Sequence, residues 1–209
     1  MAFPEFFARI APVTLRDPLA ELLGAAEGGL IEYRFADAVR LAGHSCPTVA
    51  GAWLMTVRAL RALYGDEIPE RGNIAVVLRE SLDSGVAGVI ASVAGLLTGA
   101  AGAGGFKGLG GRYSRRNLLQ FGVDGISGMA FTRLDSNVAV DCTLRLETVP
   151  ADPRLASLLG AILHGTSDAG NARLFGELWQ DRVRRILIDH ADDPEIVQLR
   201  PCRHESSMN

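Results

Sequence analysis

Cysteine is scarce in this chain of 209 residues: Cys46, Cys142 and Cys202 are odd in number, irregularly spaced and form no CxxC pair. A disulfide framework is therefore not expected, and a reducing, cytoplasmic compartment is the default reading. A strong charge of one sign is lacking too. The net charge is −3, and the basic clusters, Arg112 with Arg115 and Arg116, and Arg182 with Arg184 and Arg185, are local and carry no interleaved aromatic residues. The second cluster shares a helix with Glu177, Asp181 and Asp189 and reads as a solvated face, so no nucleic-acid partner is expected. No basic segment followed by an apolar run opens the chain, which speaks against a secretion signal. One long uncharged run does occur, from Ser84 to Phe106, but glycine and alanine supply much of it. Gly102, Gly104 and Gly105 would break a helix before it crossed a bilayer. A buried helix running into a flexible glycine loop is the better reading, with no membrane partner.

What remains is a composition suited to a packed core. Hydrophobic residues make up 48% and charged residues 22%, close to a globular average, and the length is that of one large domain. Residues 1–34, with Pro4, Pro12 and Pro18, read as an N-terminal arm with a short helix around Leu19 to Ala25. Residues 35–190 read as the core and residues 191–209 as a tail, disordered from Cys202 onward. Phe35 to Ala42 predicts a helix closed by Gly43. Val49, Ala50, Trp53, Leu54, Val57, Leu60 and Leu63 recur at helical spacing, with Pro47 suited to the first helical position and Gly65 to the stop. Asn73 to Arg79 predicts a buried strand, and Ala87 to Leu97 the apolar helix. Met129 to Leu134 and Val138 to Leu146, joined through Asp135-Ser136-Asn137, predict a β-hairpin with one buried and one wetter face. Leu155 to Leu163 and the stripe from Phe175 to Leu187 predict two further helices. Together these give a single α+β domain, helices packed on a mainly antiparallel sheet.

The glycine loop is a weak match to a phosphate-binding motif. Lys107 lies between Phe106 and Gly108 without a following Ser or Thr, and the loop follows a helix rather than a strand. A flap or tight backbone packing suits it better, although Arg112, Tyr113 and Arg115 at its exit suit an anionic ligand. More chemistry converges on Gly43-His44-Ser45-Cys46-Pro47. With a helix starting at Pro47, Cys46 is its N-cap, where a thiolate is stabilised by free N–H groups and the positive end of the helix dipole. His44, two residues earlier in extended chain, points to the same side. The pair suits an imidazole and a thiolate on one metal ion, or an imidazole acting as base toward the thiol. The bland alternative is a core cysteine beside a hydrogen-bonded histidine. Further ligands would have to come from Asp37, Asp83, Cys142 or His164, although Cys142 lies in an apolar register and His164 at a helix end. His190 and His204 read as surface residues.

At this segment the chain resembles the FmdE-like family, named after a component of formylmethanofuran dehydrogenase. Leu41-Ala42-Gly43-His44-Ser45-Cys46-Pro47 is similar to that family's Gly-His-x-Cys-Pro signature opening a long helix. The likeness runs on through Gly65 to the strand at Asn73, returns at Leu97-Thr98-Gly99, and extends to Arg112-Tyr113-Ser114-Arg115. The resemblance implies an α+β core, commonly a homodimer, with the His and Cys in a cleft that binds a transition metal such as zinc; the family name suggests C1 metabolism. Three departures bear on this. Thr48 stands where the family often has Gly, and Glu80, Ser81, Asp83 and Ser84 stand where a further cysteine or an acidic cluster is common. Only Cys202 stands where some members carry a cysteine-rich zinc finger. An open metal site completed by water or substrate is the version that results.

The expectation is thus a cytosolic metal-binding protein using His44 and Cys46 for small-molecule chemistry, with Asp83 or Arg115 orienting the ligand. A non-catalytic protein that delivers metal or cofactor to a redox enzyme is the second expectation. A metal-free protein with Cys46 as a reactive thiol is the third.

Overall fold

The computed structural model describes residues 3–202. The chain opens with a short 3₁₀ turn, Glu5–Arg9, whose Phe7 packs edge-on against Phe35, itself edge-on to Trp53. This aromatic ladder ties the arm to the core. The arm also holds two strands the sequence pattern did not reveal. Strand β1 (Val13–Arg16) pairs antiparallel with β2 (Leu30–Tyr33), and the short helix expected around Leu19 to Ala25 lies between them along the chain as α1 (Pro18–Leu22). Four-residue strands are too short for their alternation to stand out from a loop.

Helix α2 (Phe35–Ala42) ends where expected, at Gly43 in the left-handed conformation, φ 76°. Helix α3 (Pro47–Tyr64) has Cys46 as its N-cap and Pro47 in its first turn, and Gly65 closes it. Most of α3 is buried, including Trp53, Thr56 and Leu60, so it forms the spine of the molecule. Strand β3 (Ile74–Leu78) and helix α4 (Ala87–Thr98) follow as predicted. Two residues of strand β4 (Leu119–Gln120) then run parallel to β3 at the sheet edge. The predicted hairpin is β5 (Met129–Arg133) against β6 (Val138–Leu144), in register from Met129 opposite Cys142 to Arg133 opposite Val138. Helices α5 (Leu155–Leu163) and α6 (Ala169–Arg184) come next, and α6 continues through a π-helical turn at Arg185–Asp189.

The tail departs from expectation. Strand β7 (Val197–Cys202) pairs antiparallel with β6 from Ala139 to Leu144. The main sheet therefore has the order β4-β3-β5-β6-β7, antiparallel except at β3–β4, and α3 and α4 pack on it. The architecture is α+β with helices on a mainly antiparallel sheet. Adding β7 also changes β6: Ala139 and Asp141, expected on a wetter face, are buried. Asp141 accepts the Ser127 N–H at 2.8 Å, which offsets part of the cost of burying the carboxylate. Among the described residues no helix is long and apolar enough to cross a membrane.

Candidate functional site

The His44–Cys46 segment is built by two helix ends. Gly43 reverses the chain after α2, and Cys46, extended at φ −145° and ψ 166°, starts α3. The Cys46 Sγ accepts the Val49 N–H at 3.4 Å, so the sulfur satisfies one of the free donors of the first turn. His44 Nδ1 lies 2.9 Å from the Ala42 carbonyl. A carbonyl only accepts, so Nδ1 carries a proton and Nε2 is the nitrogen left to face a ligand. A backbone carbonyl orienting the distal nitrogen in this way is the usual support of a histidine ligand.

The residue between them is held from far along the chain. The Ser45 carbonyl accepts from Trp179 Nε1 at 3.0 Å and Gln180 Nε2 at 3.1 Å, and Ser45 Oγ donates to Gln180 Oε1 at 2.9 Å. Three hydrogen bonds from α6 thus fix one short loop residue. The sequence pattern marked Trp179 only as part of an apolar stripe and gave no sign of Gln180. An indole in a helical stripe reads as core, and nothing local shows that its N–H is spent on a backbone carbonyl.

The two side chains themselves do not open onto one cavity. His44 is exposed and lines a small cleft of about 190 Å³ with Leu41, Ala42, Gly88, Val89, Ser92 and Val93. Cys46 is not among those residues and is 8% exposed, turned into the core. The extended backbone predicted a shared side. The hydrogen bond to Val49 draws the sulfur under the helix end instead. A larger cavity of about 630 Å³ begins at Thr48, with a mostly apolar floor of Met55, Leu78, Met129 and Leu144 and with Arg79, Glu80 and Glu147 at its edge. Volume and lining are those of a small-molecule pocket.

The remaining sequence candidates are dispersed. Asp83 is exposed and accepts from Ser81 Oγ at 2.7 Å, which holds its carboxyl below the usual range. Arg115 is buried elsewhere, paired through Nη2 with Asp17 at 2.7 Å, and burial lowers its basicity against the pull of that carboxylate. Asp37 caps α2 by accepting the Arg34 N–H at 2.8 Å and also pairs with Arg40. Cys142 is fully buried at the floor of the larger cavity, where burial pushes its thiol far up. His164 ends α5 in solvent, and His190, expected at the surface, is half-buried with its Nδ1 2.9 Å from Asp193. His204 falls outside the described residues. Of the basic clusters, Arg184 and Arg185 are paired with Asp181, while Arg182 is an internal anchor, donating to the Val149 and Leu146 carbonyls. The glycine loop is tightly packed at Gly105 and Gly108, where a Cβ would fall 2.7 Å from Ala101 Cβ and 2.2 Å from the Arg112 carbonyl oxygen, and open at Gly104, Gly110 and Gly111.

Among the described residues, no group of three or more His, Cys, Asp or Glu side chains is placed to hold a metal ion. His44 and Cys46 are the right donor types for a borderline-soft ion, but two donors fall short of the three that a catalytic zinc site takes from protein. As placed, with the imidazole in solvent and the sulfur in the core, the pair does not face one ion. Comparison with protein-family models and with curated proteins gave no match to this chain.

Proposed function

We propose that the chain is a cytosolic FmdE-like protein, acting as a homodimer, whose chemistry on a small molecule is carried by His44 and Cys46 at the amino end of α3. The observation that supports this most is the clamp on Ser45. A loop that only started a helix would need its N-cap, not three hydrogen bonds from a helix roughly 130 residues away. Fixing the intervening residue holds imidazole and sulfur in one relation, which is what a site acting through both requires. In this reading His44 offers Nε2 at the small cleft it shares with Val89 and Ser92 and takes up or releases a proton there, and Cys46 offers sulfur beside the Val49 N–H. Metal binding by the pair would need the Cys46 sulfur to turn out of the core toward His44, and an ion so held would supply Lewis acidity or an activated water. Arg115 and Asp83 have no part, because one is held by Asp17 and the other faces solvent.

A second reading, Cys46 as a metal-free thiol assisted by His44, is favoured by the shortage of donors. Delivery of a metal to a redox enzyme is the non-catalytic variant of the first, and the exposed imidazole suits exchange. Elemental analysis of untagged protein separates them, run beside His44→Ala and Cys46→Ala. Near-stoichiometric metal in the parent, lost in both folded variants, supports the metal reading. No metal after reconstitution with zinc, nickel and iron sinks it. Selective alkylation of Cys46 that slows in His44→Ala would then support the thiol, and alkylation indifferent to His44 would leave Cys46 a structural cap.

A further inference from the structure

A second cleft, of about 520 Å³, shares no lining residue with the His44 cleft or with the cavity at Thr48. Four arginines, Arg16, Arg71, Arg112 and Arg115, border it, together with Glu21 and Glu70. Behind its wall lies Asp17, 5% exposed, which accepts from both Arg71 and Arg115. Arg16 is divided between Glu21 at 2.7 Å and Glu70 at 3.0 Å. Four guanidiniums against three carboxylates leave one positive charge over.

The surplus is placed where solvent screens it least. Arg115 is 8% exposed, and its buried Nη1 has no hydrogen-bond partner. Arg71 is held at all three of its nitrogens, by Asp17 and by the Leu97 and Leu96 carbonyls, the last two at 3.1 Å each. Both therefore act as fixed charge. Arg112 differs: it is exposed, has no carboxylate partner among the described residues, and lies over the Tyr113 ring at 5.3 Å. Its five donors are free to fold onto a ligand. Pro18, Tyr113 and Leu22, the last 56% exposed, supply apolar wall beside it.

We propose that this cleft, between α1 and the Arg112–Arg115 segment, binds a small organic carboxylate, seated on Arg112 with Arg71 and Arg115 as fixed positive charge behind it. The charge decides the class. A monoanion brings the cleft to neutrality, whereas a phosphate dianion would leave it negative next to Glu21 and Glu70. A carboxylate also matches the planar fork of a single guanidinium, and the apolar wall receives an organic body.

The test is titration of the full chain with acetate, butyrate and benzoate, and with inorganic phosphate, followed by calorimetry and ligand-observed NMR. Arg112→Ala and Arg112→Lys are compared with the parent, and both fold because the side chain is exposed and unpaired. The expected result is saturable binding that strengthens from acetate to benzoate. It weakens roughly tenfold or more in Arg112→Ala, the size of a lost charge-assisted contact, and partly recovers in Arg112→Lys. The proposal is overturned if no carboxylate saturates the parent, if Arg112→Ala binds as the parent does, or if phosphate outcompetes every carboxylate.

Discussion

Removing the charge of Asp17 should destabilise the fold more than any other single polar change in the arm. Its carboxylate, with a side chain 7% exposed, takes the Leu19 N–H at 3.0 Å, the Ala20 N–H at 3.3 Å, and the guanidiniums of Arg71 and Arg115. Asp17→Asn keeps a side-chain oxygen for the α1 cap and deletes the charge, so it isolates the ionic part. Breaking a buried pair by removing one partner costs ~3–5 kcal/mol, because the other charge stays buried. Arg71 retains two carbonyl acceptors, whereas Arg115 loses the one partner it has. The lower end, about 3 kcal/mol, is therefore expected. Asp17→Ala loses the cap as well and should cost about 1 kcal/mol more. Urea unfolding followed by the fluorescence of buried Trp53, 2% exposed, measures both. Asp17→Asn combined with Arg115→Met should recover stability, since an apolar replacement removes the stranded charge. A loss below about 1 kcal/mol in Asp17→Asn, or a double variant no better than the single, would refute the claim that Asp17 neutralises buried charge.

Gly72→Ala should unfold the same region: at φ 84° its Cβ would fall 1.6 Å from Arg115 Nη1, and a melting temperature within a degree or two of the parent would contradict this. Cys142 gives the alkaline limb. Its thiol is pushed up in the folded state, so above the ordinary thiol value of 9.0 the unfolded chain releases a proton that the folded chain keeps. Stability should then fall by ~1.4 kcal/mol per pH unit, a contribution absent in Cys142→Ala; parallel pH profiles for the two proteins would refute it. Trp179→Phe should cost about 1 kcal/mol for the lost indole donor and raise the alkylation rate of Cys46, and an unchanged rate would mean the clamp does not hold the loop.

The parts of the fold legible in the sequence were those whose signals are local and repeated. The stripe from Val49 to Leu63, the Gly43 stop and Pro47 in the first turn place α3 to the residue. The hairpin around Asp135-Ser136-Asn137 was legible from alternation alone. Strands β1, β2 and β7 were not, because four to six mixed residues carry no period until a partner strand defines their faces. The Asp17 cluster left a partial trace: Asp followed by Pro is the signature of a helix start, and Asp17 does cap α1. Nothing local joins it to Arg71 and Arg115, which reach it across 54 and 98 residues.

The candidate site divides along the same line. His44 and Cys46 are two residues apart, and their types alone marked them. Whether they act together is set by what lies between them, and Ser45 is positioned by residues 134 and 135 positions away. Those residues belong to a helix that enters the core only toward its end, at Val183, with Arg182 anchored on the Val149 and Leu146 carbonyls. The loop therefore takes part of its geometry from α6, beyond what Gly43 and the Cys46 cap set locally. A substitution that shifts α6 moves the relation of imidazole to sulfur while leaving both residues in place. Variants at Arg182 should accordingly change Cys46 reactivity without touching the His44–Cys46 segment, and a Cys46 alkylation rate unaltered in a folded Arg182→Ala would show that the loop holds itself.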